Sequence, residues 1–278
     1  MHDVTTLCAV LGIPRSTYYK SKKKTISKRA VENSMLKDRI MQLYNNSKRR
    51  YGAPKIHKLL AKDGTQISLK RVQRLMRSMD LKSIVVKKYK PYPSNKKVIE
   101  RKNILNRDFS TTTINQKWVG DITYIHTVKD GWCYLASVMD LHTKKIIGYS
   151  FAKTMTTDLI INALNNSVVS QKPSPGLIFH SDLGSQYTSI EFQKVVEKLN
   201  ITHSFSKKGC PYDNACIESF HAALKKEEVN LVTYYNFHIA RIAMFEYIEG
   251  WYNHQRIHGS IGYITPNQCE VMARKKVG

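Results

Sequence analysis

Apolar positions divide the chain into a helical first part and a second part that contains strands. Between residues 30 and 84, apolar side chains recur every three or four positions, which predicts three helices. Pro54 is placed to start the second helix, and Ser68 is placed to cap the third, which continues to about Met79. Two shorter helices are predicted within residues 4–19, where a Gly-Ile-Pro break separates them; they form either half of a helix-turn-helix or a small helical hairpin.

From Lys117 onward, runs of β-branched and aromatic residues predict strands, which alternate with helices later in the chain. The predicted strands cover 118–125, 132–139, 145–149, 177–179 and 201–205, and the predicted helices cover 159–168, 189–199 and 214–228. Three successive strands followed by the order αβαβα are typical of a mixed sheet that is covered by helices.

The patterns divide the chain into five segments. They are a short helical segment with a basic linker (1–29), a helix-turn-helix region (30–84), a basic linker without periodicity (85–112), an α/β core (113–230) and a helical extension (231–278). A hydrophobic share of 42% in 278 residues is enough for folded cores and excludes wholesale disorder. No apolar run reaches the roughly 18 residues of a membrane span, so we expect a cytoplasmic protein with no membrane partner. Five scattered cysteines without a CxxC pair predict free thiols.

The net charge of +24 is concentrated in the first part of the chain. Residues 1–110 contain 28 Lys or Arg and 7 Asp or Glu, whereas residues 111–278 contain 17 and 14. Such asymmetry in a segment that can fold favours a polyanion as the partner, most often nucleic acid, because neutralised phosphates release counterions. The alternative is a basic surface that serves only solubility.

The third predicted helix carries basic residues in a pattern typical of a recognition helix. A helix, a short turn with glycine and a basic helix are the arrangement with which a helix-turn-helix enters the major groove. The alternative is the ordinary solvated face of a helical hairpin. In the following linker, lysines alternate with tyrosines and are expected to follow a phosphate backbone. The DNA contacts predicted in these two regions are Lys70, Arg71, Arg74, Arg77, Lys87, Lys88 and Lys90.

Three acidic residues stand out in the α/β core, where acids are scarce. Asp121 interrupts the first strand, Asp182 follows the fourth strand, and Glu218 lies early in the last helix of the core. A carboxylate within an apolar run is costly to bury unless it is paired or bound to a metal. Three carboxylates without clustered His or Cys suit a hard cation such as Mg²⁺, and two such ions would support phosphoryl transfer. The alternative for each acid is a role as a cap, turn or salt-bridge residue.

Three ordered segments around these acids resemble the signature of the DDE transposases that are related to retroviral integrases. The segments are WVGDITYI (118–125), HSDLGSQYTS (180–189) and KKGCPYDNACIES (207–219), with 35 residues between the second and third acids. Three further segments resemble the helix-turn-helix region and the ending of the second-frame proteins of insertion-sequence family three, namely YGAPKIHKLL (51–60), KRVQRLMRSMDL (70–81) and YNHQRIHGSIGYITP (252–266). The resemblance therefore covers nearly the whole chain.

The resemblance implies a ribonuclease-H-like catalytic domain with a mixed five-stranded sheet and helices on both faces, preceded by an all-α helix-turn-helix region. It implies that Asp121, Asp182 and Glu218 are catalytic ligands of two Mg²⁺ or Mn²⁺ ions and that Lys225, on the helix face of Glu218, contacts terminal DNA. The implied enzyme cuts donor DNA with water and joins the freed 3′ hydroxyl to a second phosphodiester. Its implied partners are double-stranded DNA, as terminal inverted repeats and as target, and a second copy of the chain, in a homodimer or larger assembly at the bacterial nucleoid.

One feature departs from the pattern of retroviral integrases. The zinc module at the front of retroviral integrases has no counterpart, because Cys8 is the only cysteine before Cys133. The family's separate first-frame protein, or a frameshift fusion with it, is a further expected partner. Two other functions stay open, a DNA-binding regulator with an inert core and a ribonuclease H. The complete set of acids argues against the regulator, and the strongly basic first part argues against the ribonuclease.

Some other residues have ordinary structural interpretations. Asp140 closes the second strand and is expected to hold a turn. His221 either orients a phosphate or water or packs against its neighbours. Tyr187, Trp251 and Tyr252 either stack on bases or belong to the core.

Overall fold

The computed structural model describes residues 3–22, 27–84, 102–207 and 210–277. The chain divides into two units, Met1–Lys82 and Ser83–Gly278. Lys87, Lys88 and Lys90, which are predicted to follow a phosphate backbone, lie outside the described residues. Within the described ranges, no helix is long and apolar enough to cross a membrane.

The first unit is entirely helical, as its apolar spacing predicts. Its helices are α1 (Val4–Val10), α2 (Arg15–Lys22), α3 (Lys28–Asn46), α4 (Ala53–Lys62) and α5 (Leu69–Ser78). The periodic apolar positions form its core, where Ile40, Ile56 and Val72 are completely buried. Ser68 caps α5, because its hydroxyl accepts a hydrogen bond from the Arg71 backbone N–H at 3.3 Å. The predicted helices and the predicted cap are therefore confirmed.

The second unit contains a five-stranded mixed sheet. Its strands are β1 (Lys117–Thr127), β2 (Gly131–Asp140), β3 (Ile146–Ala152), β4 (Ile178–Ser181) and β5 (Thr202–Phe205), in the order β3-β2-β1-β4-β5. The first three strands pair antiparallel, and β4 pairs parallel with both β1 and β5. Its helices are α6 (Thr157–Gln171), α7 (Ile190–Lys198), α8 (Ala215–Glu227), α9 (Phe237–Phe245), which continues into a π-helical segment (Glu246–Asn253), and α10 (Pro266–Val277). The predicted succession of strands and helices is confirmed.

Helices cover both faces of the sheet. On one face, Trp118 of β1 and Ala136 of β2 pack in a core with α6 and α7. On the other face, Val119 and Ile125 of β1 are completely buried, and both α8 and α9 contact this strand. Because side chains alternate along a strand, the apolar residues of β1 supply both cores.

A glycine lets α6 approach β3 closely. A Cβ on Gly148 would lie 2.2 Å from the Ser167 hydroxyl oxygen and 2.6 Å from the Ala163 carbonyl oxygen. The helix backbone therefore packs directly on the strand backbone at this position.

Residues 102–112 contain no helix or strand, yet they pack on the second unit. The Ser204 hydroxyl of β5 accepts hydrogen bonds from the backbone N–H groups of Ile104 and Leu105, both at 2.9 Å. The Phe205 N–H donates to the Lys102 carbonyl at 3.1 Å. These residues belong to the predicted linker (85–112), but hydrogen bonds attach them to β5.

A buried ion pair joins α8 to the C-terminal part of the chain. Arg256 donates to the Glu227 carboxylate at 2.9 Å, and the same carboxylate accepts hydrogen bonds from the Tyr247 hydroxyl and the Trp251 indole, both at 3.0 Å. Burial acts to lower the pKa of Arg256, but the adjacent Glu227 raises it above its ordinary value, so the pair is ionised. The end of α8 is thereby fixed to the helical extension.

We expect Glu227→Ala to destabilise the second unit by about 3 to 5 kcal/mol, because Arg256 would stay buried without its counter-charge. Urea unfolding followed by circular dichroism measures this loss. The exposed acid Glu246 provides the control, since Glu246→Ala removes a carboxylate that does not belong to this network. A loss of less than about 1 kcal/mol for Glu227→Ala would contradict the proposed clamp.

Candidate active site

The register of β1 and β4 aligns Asp121 with Asp182. Val119 of β1 pairs with His180 of β4 in the parallel ladder, and each acid comes two residues later. Asp182 lies immediately after β4, so the alignment continues the ladder by two positions. Asp182 therefore lies at the carboxyl end of β4, where α/β folds place ligands, beside the middle of β1. The backbone therefore brings together two acids that lie far apart in the sequence.

Asp121 is held from two directions. Its Oδ1 accepts a hydrogen bond from the Ile122 backbone N–H at 2.8 Å. Its Oδ2 lies 3.3 Å from Nδ1 of His221, a side chain of α8 that is 8% exposed. The second ring nitrogen of His221 is buried and has no hydrogen-bond partner within the described part of the chain. Of the two interpretations of His221, the structure supports packing, and its neighbour is a carboxylate.

Close packing fixes the backbone beside Asp121. A Cβ on Gly120 would lie 2.4 Å from the Phe179 ring, so only glycine fits there. The Gly120 carbonyl accepts a hydrogen bond from the Asn214 side chain at 3.3 Å. Since Asn214 immediately precedes α8, this contact sets the start of the helix that carries Glu218 against β1.

Asp182 lies in a turn and has a raised pKa. Its Oδ1 accepts a hydrogen bond from the Gly184 backbone N–H at 3.0 Å, which favours the ionised form. Burial and then the negative charges of Asp121 and Glu218 act in the opposite sense and raise the pKa of Asp182 to about 6. Of the three acids that the resemblance names, Asp121 and Glu218 are therefore close enough to Asp182 for their charges to act on it.

Glu218 lies in the first turn of α8 and is exposed. Its helix begins after Asp213, a buried acid that the sequence analysis did not select. The Asp213 carboxylate accepts hydrogen bonds from the Asn103 side chain at 2.8 Å, from Arg107 at 2.6 Å and from the Lys207 backbone N–H at 2.9 Å. Burial acts to raise the pKa of Asp213, but these donors hold it below the ordinary value. The only sequence signal for this role is an acid in a Pro-containing loop directly before a helix.

Lys225 lies on α8 near the acids. Its ammonium nitrogen is 4.0 Å from the centre of the Tyr124 ring. Burial lowers the pKa of Lys225, and the negative charge of Asp121 opposes that shift. A basic side chain therefore lies within electrostatic reach of the acid on β1.

The basic residues of α5 fall into two groups. Lys70, Arg74 and Arg77 are exposed. In contrast, Arg71 donates to the Asn33 side chain at 2.7 Å and forms an ion pair with Glu32 at 2.9 Å, both on α3. Its guanidinium is thus engaged within the helical unit, although the spacing of the arginines predicts equal roles.

Several other predicted residues belong to the framework. Asp140 accepts hydrogen bonds from the Thr143 N–H and hydroxyl at 2.9 and 2.8 Å, so its turn role is confirmed. Tyr187, Trp251 and Tyr252 are at most 4% exposed, so they are core residues and do not stack on bases. All five cysteines are free thiols, as predicted.

The donor set around Asp121 suits a hard cation, because it consists of carboxylate oxygens. Within the described ranges, no three His, Cys, Asp or Glu side chains are already arranged as a metal-binding cluster. Burial, followed by the charges of Asp121 and Glu218, disfavours the ionised form of Asp182, and a bound cation would favour that form.

Comparisons with known proteins define the class. A family model of the integrase core domain matches residues 112–211, a second integrase core model matches 199–266, and a model of an HTH-like domain matches 31–89. These matches, together with the mixed five-stranded sheet, identify a polynucleotidyl transferase of the integrase-core class.

Relatives along nearly the whole chain define the family. The transposase for insertion sequence element IS904 of Lactococcus lactis is 38% identical over 88% of this chain and 96% of the relative. The InsF transposase for insertion sequence IS3A of Escherichia coli is 35% identical over 96% and 94%, respectively. The solved HTLV-2 integrase catalytic core domain in complex with magnesium is 18% identical, with a TM-score of 0.45 over 58% of this chain and 99% of that chain. The chain belongs to the family of insertion-sequence transposases of the IS3 type, which confirms the resemblance.

We expect Asp182→Asn to stabilise the cation-free protein at about pH 8. In the folded state the pKa of Asp182 is about 6, above its ordinary value of 3.8. The folded state therefore binds this proton more tightly than the unfolded state does. The protein loses stability as the pH rises from about 4 to 6 and the proton dissociates. Asn avoids that loss and preserves the acceptor for Gly184. Allowing for screening of the partly exposed carboxyl, the gain is about 1 to 2 kcal/mol.

Urea unfolding in chelator at about pH 8 and about pH 4 measures this difference. Glu197→Gln, which removes an exposed acid from α7, is the control. If the free energies of unfolding of Asp182→Asn and the parent differed by the same amount at both pH values, ionisation of Asp182 would not be the cause of the difference.

Proposed function

We propose that Asp121, Asp182 and Glu218 are the catalytic acids of this transposase and hold two divalent cations, Mg²⁺ or Mn²⁺. The observation that carries the proposal is the register of β1 and β4, which places Asp121 level with Asp182. The pKa of Asp182, raised by burial and then by the charges of Asp121 and Glu218, agrees with it. The three carboxylates offer only oxygen ligands, and a hard divalent cation would offset their negative charge. When bound, the ions supply Lewis-acid activation of an attacking oxygen and charge neutralisation at the phosphate.

Contacts within the second unit orient two of these acids. Asp121 is oriented by the Ile122 N–H and by His221, so its carboxylate faces the site in a fixed direction. Asp182 is oriented by the Gly184 N–H. Glu218 is exposed on α8 and would be the third ligand of the cations. The strand to be cut would bind beside these acids, and the reaction would use no covalent enzyme intermediate.

Lys225 is proposed to contact a phosphate of the terminal DNA. Burial lowers the pKa of Lys225, whereas the charge of Asp121 acts to raise it. Its ammonium group lies over the Tyr124 ring and makes no ion pair within the described residues. A lysine in that position supplies a positive charge for a DNA strand that enters a site lined by acids.

The helical unit is proposed to bind the ends of the element through α5. Lys70, Arg74 and Arg77 are exposed on that helix, and the match to an HTH-like domain supports the assignment. Lys87, Lys88 and Lys90 are proposed to add phosphate contacts. Arg71 is proposed to act mainly as a support, because it already binds Glu32 and Asn33.

The proposed substrates are the terminal inverted repeats of the element and a target DNA. Joining two element ends requires two DNA-binding units and two catalytic cores, so a homodimer or larger assembly is proposed. The first-frame protein, or a frameshift fusion with it, is proposed as a further partner.

We expect Asp182→Asn to bind DNA normally and to lose both cleavage and strand transfer, by more than about 100-fold, because a proposed cation ligand is removed. The assay offers the purified chain a duplex that ends in the terminal repeat, with Mg²⁺ or Mn²⁺, and chelator should abolish the reaction of the parent protein. Mg²⁺ should also raise the melting temperature of the parent and of Glu197→Gln, but not of Asp182→Asn. Cleavage by Asp182→Asn at the parental rate would refute the acid assignment.

We expect the double substitution Arg74→Ala plus Arg77→Ala to weaken binding to the terminal repeat and to reduce the slope of log affinity against log salt by about 2, one for each phosphate contact removed. Arg71→Ala should leave that slope nearly unchanged and lower the stability of the helical unit instead. Titrations at several salt concentrations, followed by fluorescence anisotropy, give the slopes. Equal slopes for the double substitution and the parent would assign α5 a structural role only.

A further inference from the structure

Three aromatic side chains form an exposed cluster on the β1–β2 hairpin. The ring centres of Tyr124 and Trp132 are 5.2 Å apart, and those of His126 and Trp132 are 5.0 Å apart. His126 pairs with Trp132 across the two strands, so the three side chains share one face of the sheet. We call this group the hairpin cluster.

The hairpin cluster does not belong to the hydrophobic core. On the same face, Ile122 and Tyr134 still pack against the core, whereas Tyr124 and Trp132 are 47% and 53% exposed and His126 is also exposed. Adjacent aromatic rings that stay in water are characteristic of a binding surface, because burial in a complex would recover their hydrophobic free energy.

The hairpin that carries the cluster is held rigidly. The Val128 N–H donates to the Tyr234 carbonyl at 2.9 Å, and the Asp130 carboxylate accepts a hydrogen bond from the Phe237 N–H at 2.7 Å. Asp130 also receives a hydrogen bond from Lys153 at 2.8 Å. The rings are therefore preorganised, which reduces the entropy lost when a ligand binds.

The position of the cluster indicates the chemistry of its ligand. Tyr124 lies three residues beyond Asp121 on β1, about 10 Å along an extended strand, a length that corresponds to about three nucleotides of stacked DNA. The two side chains point to opposite faces of the strand, and Lys225, which is within electrostatic reach of Asp121, connects them. The Lys225 ammonium group lies over the Tyr124 ring. A cation beside exposed rings, next to acids proposed to hold the reacting phosphate, matches the alternating phosphates and bases of a nucleic-acid strand.

We propose that the hairpin cluster is a stacking platform for unpaired bases of the DNA strand, within about three nucleotides of the phosphodiester that is cut. The proposal rests on the proposed function, because the acids define where that phosphodiester lies. A base reaches an aromatic face only after it has left the double helix, so the platform favours DNA ends whose terminal base pairs are open. Stacking tolerates any base, and Lys225 would neutralise the adjoining phosphate.

The parent protein carries its own reporter for this contact. Of the three tryptophans, Trp118 and Trp251 are 0% and 4% exposed, so Trp132 is the one that DNA can reach. The probes are two duplexes of the terminal repeat, one fully paired and one with its last three base pairs mismatched. The mismatched duplex should quench tryptophan fluorescence more strongly than the paired duplex at equal occupancy. Equal quenching by both duplexes would overturn the proposal.

Variants are tested in the Asp182→Asn background, so that DNA is bound and not consumed. Trp132→Ala should weaken binding of the mismatched duplex by about 5- to 100-fold, with an unchanged salt slope, because base stacking is lost and no phosphate contact is removed. Trp132→Phe should recover most of the affinity. Phe245→Ala, which removes an exposed ring from α9, is the matched control and should bind as the background protein does.

Three outcomes separate the explanations. Parental affinity of Trp132→Ala for the mismatched duplex would refute the platform. A change in sedimentation of Trp132→Ala without DNA, with unaltered DNA affinity, would assign the cluster to contact between copies of the chain and would also refute it. If Asp182→Asn alone still joined strands, the acid assignment would fail, whereas the stacking measurements would still report contact between Trp132 and DNA.

Discussion

Repulsion between carboxylates that the backbone forces together is the interaction on which this site depends. The parallel ladder between β1 and β4 fixes the levels of Asp121 and Asp182 through backbone pairs that precede both acids. Because that ladder holds the two acids at the same level, the unfavourable charge at Asp182 is relieved by a proton or by a cation. The raised pKa of Asp182, caused by burial and then by the charges of Asp121 and Glu218, favours the proton. The cation is the one that a phosphoryl-transfer enzyme requires.

The acids of the second unit differ in what surrounds them. Asp213 and Glu227, at the two ends of the α8 region, each face an arginine and further hydrogen-bond donors. Asp182, in contrast, has other acids as its charged neighbours. The fully matched acids fix the position of α8, and a helix fixed at both ends can hold its own acid near two others despite the unfavourable electrostatics. The ion pairs that stabilise the fold therefore lie around the site, whereas acids of like charge lie within it.

The elements could be predicted from the sequence because hydrophobic period depends only on local spacing. The residue types at the element ends also predicted Ser68 as a cap, and the patterns placed Asp121 within the first strand and Asp182 just after the fourth. The partners of side chains could not be predicted, because they lie on other elements. Arg71 meets Glu32, 39 residues away, and Asp213 meets Asn103, 110 residues away. Helical spacing shows which face a residue occupies, but it does not show what covers that face.

The side chains on the two faces of strand β1 have different roles. Asp121 lies in one alternation, whereas Gly120, which meets Phe179, and Tyr124, which meets Lys225, lie in the other. Because the period is two, a single-residue insertion before Gly120 would exchange the faces, turning the acid toward the aromatic core and a side chain toward the site. A change in the length of this strand would therefore disturb the site more than most single substitutions within it.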